Sequence, residues 1–322
     1  MSFVNMNAAN IFANLKEAHH EFPRSNLLRD ALGETVTEHY AKVSLKKTFE
    51  TRGLLVTGPS RTGKSTEISR QLSELNNGST LMPDGRPAKF VSVVLKGHMT
   101  WKDLGLHTLN AGLGYPAARM TCRDAWDAVE FQAEGQGVVG IHYDECQHMF
   151  SKHNPTANAI ILDSFKALLK QINWPIMLIL SGIDELADYV AQEEQLNHLL
   201  RPIAFGEIAV RKSEDRDELA ALCFGFADRA NISFVNLHTE DFYRRLAFAS
   251  VDRWGLAIEL IIDAMKIARQ ANQSEVTIDD FSLAYSHSTG GSIDFSPFVI
   301  EDYEAAFDGR KIIEMIEKTK RK

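Results

Sequence analysis

The chain has 322 residues, 44% apolar and 24% charged, with a formal net charge of −8 at pH 7. Those fractions are ordinary for a folded globular protein and exclude wholesale disorder and collagen-like architectures. The length suggests two domains or one large α/β unit with an appendage, and the charge argues against a surface that coats nucleic acid all over, although phosphate contact needs only a few Lys or Arg.

Residues 1–50 read as mainly helical, with Leu27, Leu28, Val43 and Leu45 as apolar anchors among charges. Gly53-Leu54-Leu55-Val56-Thr57 is then a short apolar run of strand length. It leads into Gly58-Pro59-Ser60-Arg61-Thr62-Gly63-Lys64-Ser65-Thr66, which matches G-x-x-x-x-G-K-[ST] at every fixed position. Ile68, Leu72 and Leu75 follow at i, i+4 and i+7, so an amphipathic helix starts at the loop and stops near Asn76-Asn77-Gly78. Glycines let the backbone wrap around phosphates, and the helix N-terminus aims N–H groups at negative charge. Lys64 then supplies a point charge to the β- and γ-phosphates of ATP, and Ser65 offers a hydroxyl to Mg²⁺.

A strand over Phe90–Leu95 comes next, with helical stretches around Trp101–Asn110 and Arg123–Ala133. Gly137 to Tyr143 reads as a buried strand ending in Asp144-Glu145, although His142 and Tyr143 make it less apolar than usual. Asp144 would orient Mg²⁺, directly or through water, and Glu145 would activate the attacking water as general base. The bland alternative is a solvated turn. After a helix around Ala157–Ile172, Ile176–Leu180 is a further strand, ending in Ser181-Gly182. Ser181 can contact the γ-phosphate or the attacking water, or it can simply mark a strand exit. Alternating strands and helices imply a mainly parallel sheet covered on both faces, with ligands at the carboxyl ends of its strands.

Gly58–Ser65, the Asp144-Glu145-Cys146-Gln147-His148 box and the strand end Leu180-Ser181-Gly182 together resemble the AAA+ ATPases. The D-E-x-Q-H form of the box narrows the resemblance to the TniB/TnsC family of transposition regulators, over about residues 30–285. The resemblance implies a three-layer α/β P-loop core with a C-terminal helical lid. It places the core over 51–212 and the lid over 213–286; an N-terminal helical segment over 1–50 and a tail over 287–322 stand outside it for the most part. It further implies ATP hydrolysis, a homo-oligomeric ring or filament on double-stranded DNA, and a transposase and target-selection protein as partners. Members place an arginine finger near the end of the helix before the fifth strand, where Arg201 precedes Ile203–Val210, with Arg211 and Arg216 as competitors. Arg253 opens the third lid helix, where a lid arginine often contacts phosphates. An alternative within the same superfamily is an origin-recognition-like or signalling nucleotide switch without a transposase.

Four lid helices are expected over Asp217–Ala230, Thr239–Phe248, Trp254–Arg269 and Thr277–Tyr285; the third carries an apolar stripe that reads as core. Cys146, His148 and His142 lack a second C-x-x-C or H-x₃₋₅-H partner, so a structural zinc is not expected. Lys96-Gly97-His98 with Trp101 and Lys102 is a candidate phosphate-contacting loop, although Trp101 reads equally as a core anchor. Ser292–Phe298 resembles a docking segment, and Lys318–Lys322 is a basic end. No apolar run approaches the ~18 residues of a membrane span. Met1–Leu15 has neither the basic residue nor the apolar stretch of a secretory leader. Cys122, Cys146 and Cys223 are too few for a disulfide framework, which fits the cytoplasm.

Overall fold

Alternation of side chains across a strand dictates that Leu54 and Val56 face one side of a sheet while Leu55 faces the other, and the molecule is built on that division. The structure is a computed structural model that describes residues 13–45, 50–78, 80–171 and 174–320. These fall into two units, Pro23–Gly206 and a second formed by residues 13–22 with 207–320.

Among the described residues, the first unit carries five strands: β1 (Gly53–Thr57), β2 (Lys89–Val94), β3 (Val138–Asp144), β4 (Met177–Gly182) and β5 (Leu200–Ala204). Their order is β2-β3-β4-β1-β5 and every pairing is parallel. Helices α1 (Pro23–Ser44) and α2 (Lys64–Asn77) pack on one face, where Leu28, Leu32, Ile68 and Leu72 meet Leu54, Val56 and Ile179. On the opposite face lie α3 (Trp101–His107), α4 (Cys122–Gln136), α5 (Pro155–Leu169), α6 (Glu185–Val190) and α7 (Glu194–Leu199). They bury Leu55, Ile141 and Leu180. Covered on both sides, β3 is buried at every position, as expected of an interior parallel strand. This is the three-layer P-loop arrangement that the motifs imply.

The fifth strand is placed differently from its expected position at Ile203–Val210. Leu200 pairs with Gly53 and Ala204 with Thr57, so β5 begins at Leu200, immediately after α7. Pro202 is tolerated there because β5 is an edge strand and needs hydrogen bonds on one side only. Arg201 therefore lies within the strand rather than at a helix end.

The second unit is helical: α8 (Ser213–Ala230), α9 (Glu240–Ala249), α10 (Trp254–Gln270), α11 (Ile278–Thr289), α12 (Tyr303–Ala306) and α13 (Gly309–Lys320). The stripe Leu256, Leu260, Ile261, Ala264, Met265 and Ala268 is buried, the packing its period requires. Leu15 is fully buried in the same core, so residues 13–22 join this unit while α1 joins the sheet unit. The segment around Phe298 packs inward. Arg245 donates to the carbonyls of Pro297 and Ile300 at 2.7 Å each, Ser296 bonds Ser282 at 3.1 Å, and Phe298 lies 5.5 Å from Phe281. Of the basic end, Arg321 and Lys322 lie outside the described residues.

Gly140 shows how tightly the sheet packs near the acid pair. It sits opposite Phe90, and a Cβ there would lie 2.2 Å from the Phe90 ring. Gly140→Ala is therefore expected to destabilise the fold by about 1–3 kcal/mol through overpacking. An unchanged urea midpoint would contradict that packing argument.

Candidate functional site

The loop between β1 and α2 takes its shape from two glycines. Gly58 has φ +152°, and a Cβ there would lie 2.1 Å from the carbonyl oxygen of Phe205. Gly63 has φ +94° and takes the N-cap position of α2 in a left-handed conformation, with no side-chain cap hydrogen bond. The initial N–H groups of a helix have no partner within the helix. Here no cap side chain competes for them, so they form an anion cradle. Arg61 is left-handed as well, at φ +67°, and Thr62 closes the turn by donating to the carbonyl of Pro59 at 2.9 Å. The Lys64 ammonium donates to the carbonyls of Gly58 at 2.7 Å and Pro59 at 2.9 Å, which holds the charge at the loop. Ser60, Arg61 and Thr66 are exposed, Ser65 is half-buried and Lys64 is buried.

The acid pair stands at the carboxyl end of β3, which β4 separates from β1 in the sheet. Asp144 is the last residue of β3 and is buried. Its Oδ1 accepts from the Ser181 hydroxyl at 2.6 Å and from the Glu145 N–H at 3.0 Å. Ser181 is fully buried at the end of β4, so its hydroxyl serves the carboxylate. Glu145 adopts a left-handed backbone, φ +58°, a conformation uncommon for such a side chain. The Gln147 amide donates to Glu145 Oε2 and accepts from the Ile183 N–H at 3.4 Å, tying the box to the end of β4. A Cβ on Gly182 would lie 2.3 Å from Gln147 Oε1, so the Ser-Gly strand exit also makes room for this amide.

Two further residues join this constellation: Ser92, which the sequence reading passed over, and His142, which it noted without giving it a role at the site. Ser92 of β2 and His142 of β3 are opposite one another, with Ser92 Oγ 2.7 Å from His142 Nδ1; His142 Nε2 lies 2.7 Å from Ser181 Oγ. Burial holds the imidazole well below its usual range, outweighing the upward pull of Asp144, so His142 is neutral at pH 7. The polar His inside an otherwise apolar strand was the available signal.

Chemically, the donor set fits a magnesium ion carried by phosphates. Mg²⁺ is usually held by one or two carboxylates plus substrate oxygens and water. Both hydrogen bonds to Asp144 fall on Oδ1, which leaves Oδ2 for a cation. Among the described residues no group of three or more His, Cys, Asp and Glu side chains could hold a metal by itself. Burial, and secondarily Asp144, pushes the Cys146 thiol up, so it stays protonated and inert.

Most of the remaining candidates have partners of their own. Arg201 is exposed on β5, where it pairs with Glu34 of α1. Arg211, Arg216 and Arg253 belong to the helical unit. Arg216 donates to the Val210 carbonyl at 3.0 Å, and Arg253 pairs with Glu207. Trp101 stacks on Trp126 at 4.3 Å and meets Phe165 edge-on, which makes it a core anchor. Lys96 and Lys102 are exposed on either side of it.

Residues 47–200, which span the loop, the acid pair and Ser181, match the model of a family described as an AAA domain. This segment is an AAA-family P-loop ATPase domain. No curated protein matches the chain significantly. Among solved structures, the chain is similar to the ORC2 protein of Aeropyrum pernix in its ADPNP-ADP complexes, at 13% identity over 85% of this chain and 71% of that one, TM-score 0.55. It is similar to Cdc6p of Pyrobaculum aerophilum, at 10% identity over 84% and 69%, TM-score 0.55. It is also similar to the Aeropyrum pernix ORC1 protein in complex with DNA, at 13% identity over 96% and 87%, TM-score 0.53. At such identities the likeness is one of fold, and it extends beyond the AAA domain into the helical unit. Among the described residues, no helix is long and apolar enough to cross a membrane.

In the AAA domain, Lys64→Ala removes the ammonium that the loop carbonyls hold in place. ATP and ADP affinity measured by calorimetry is expected to fall by at least about tenfold, the scale of one lost charge-assisted contact. Affinity equal to that of the parent chain would contradict the assignment of the loop.

Proposed function

We propose that this chain is an ATP-dependent regulator of DNA transposition. It assembles on double-stranded DNA as a homo-oligomeric ring or filament and, with a target-selection protein, recruits or activates a transposase; its setting is the cytoplasm. The observation that carries this reading is the Asp144-Glu145-Cys146-Gln147-His148 box, in which the Gln147 amide holds Glu145 and ties it to β4. Loop N–H groups and Lys64 bind the nucleotide phosphates, while Ser65 and Asp144 hold Mg²⁺. When bound, that ion neutralises charge on the β- and γ-phosphates. Glu145 takes the proton of the attacking water. Ser181 acts on the site through Asp144. Exposed Arg201 exchanges Glu34 for the γ-phosphate of a neighbouring subunit, and Arg253 is the lid arginine of the family resemblance. Lys96 and Lys102 supply phosphate contacts to DNA without reading bases.

A second reading, an origin-recognition-like switch without a transposase, is favoured by the fold likeness to Cdc6p and the ORC proteins across most of the chain. The two differ in how DNA is bound. A transposition regulator that coats its target engages any duplex, whereas an origin-recognition protein discriminates among sequences.

The test is electron microscopy of the purified chain with duplex DNA, without nucleotide, with ADP and with a non-hydrolysable ATP analogue. Rings or filaments on DNA with the analogue alone, undiminished by changing the DNA sequence, are expected. With Glu145→Gln, ATP itself should sustain them, because loss of a general base slows hydrolysis by ~10²–10⁴-fold. Discrete particles that ignore DNA in every nucleotide state would overturn the proposal, and assembly confined to particular sequences would favour the second reading.

A further inference from the structure

A line of hydrogen bonds crosses three strands to reach the carboxylate at the heart of the site. It begins at Ser92 on β2, which is exposed, passes through the buried His142 and Ser181, and ends on Asp144 Oδ1. The register places its members together. Ser92 is opposite His142, and His142 is opposite Ile179, two residues before Ser181, so all three side chains share one face of the sheet.

The polarity of the line follows from its ends. An ionised carboxylate only accepts, so Ser181 gives Asp144 its single hydroxyl proton. The Ser181 oxygen must then accept from the imidazole, which requires the hydrogen of His142 on Nε2. With that hydrogen on Nε2, Nδ1 is left as the acceptor for the Ser92 hydroxyl, 2.7 Å away. Each link is about 2.7 Å or shorter.

We propose that His142 is a positioning residue for the Mg²⁺ of the bound nucleotide. Its Nε2–H fixes the Ser181 hydroxyl on Asp144 Oδ1, which sets the carboxylate plane and reserves Oδ2 for the cation; Ser92 selects the tautomer that makes this possible. The inference rests on the reading of Asp144 as the magnesium carboxylate. Without the imidazole donor, the Ser181 rotor is free to turn away and Asp144 keeps only the Glu145 N–H as a fixed contact. Partners that orient a metal ligand in this way are worth about 10–100-fold in metal affinity.

The test uses the full chain and reads the tightening of ADP binding as Mg²⁺ is added, by calorimetry, together with the imidazole ¹⁵N spectrum. The spectrum should show a protonated Nε2 and a bare Nδ1 on His142. His142→Leu should weaken the Mg²⁺-linked tightening by about tenfold or more while leaving Mg²⁺-free ADP binding unchanged. His142→Gln, which keeps an amide donor at the Nε2 end, should recover most of the loss. A filler role in the core would lower the melting temperature without moving the Mg²⁺ curve. If His142→Leu fails to fold, Ser92→Ala tests the same line from its exposed end, and should both disturb the tautomer and weaken the Mg²⁺ response. A spectrum with the proton on Nδ1, or a folded His142→Leu or Ser92→Ala with the parent Mg²⁺ response, would overturn the proposal. Asp144→Asn separates the two levels. If it keeps the full Mg²⁺ response, the reading of Asp144 falls and the proposal with it; if it loses that response while His142→Leu does not, the proposal alone falls.

Discussion

The start of α2 is the feature around which the sheet unit is organised. A helix N-terminus leaves several N–H groups without intrahelical partners and carries partial positive charge. Several other helix starts in this chain are closed by side chains: Thr100 caps α3, Thr121 caps α4 and Thr239 caps α9. At α2 the N-cap is a left-handed glycine with no side-chain bond. The preceding turn, pressed at Gly58 against the Phe205 carbonyl, puts a lysine ammonium on its own carbonyls beside those N–H groups. That concentration of donors is complementary to a polyphosphate.

The sheet beneath this turn changes character along one face. Leu54, Phe90, Met177 and Ile179 bury the helices α1 and α2. Toward the carboxyl ends the same face carries Ser92, His142, Asp144 and Ser181. Buried polar groups cost free energy unless they are bonded, and each of these has a partner in the next strand. The polar end is therefore a rigid assembly, with its bonds on Asp144 converging on one oxygen. The acid beside it is held by an amide and by a left-handed backbone. Electrostatic catalysis depends on such preorganisation, because groups already in place need not reorient as charge develops.

What could be read from the sequence was what is local along the chain. Gly58 to Thr66 declares itself because its glycines, lysine and hydroxyl act within one turn. Asp144-Glu145 stands out because acids end an apolar run. The line from Ser92 through His142 to Ser181 was not legible, since residues 92, 142 and 181 meet only through the register of three parallel strands. The start of β5 was misplaced for a related reason: Pro202 looks like a break, and only an edge position makes it compatible with a strand. The inward packing of Phe298 likewise depends on Arg245, more than fifty residues earlier. Trp101 could not be assigned from composition, because its partner Trp126 lies on another helix.

The central claim is that the uncapped start of α2 and the polar end of the sheet form one magnesium–nucleotide site. An experimental structure of the chain with a non-hydrolysable ATP analogue and Mg²⁺ tests it most directly. The account predicts phosphate oxygens on the N–H groups of Gly63 to Ser65, with the ion near the Ser65 hydroxyl and Asp144 Oδ2. Nucleotide bound away from the loop, or an ion that bypasses both Ser65 and Asp144, would contradict it.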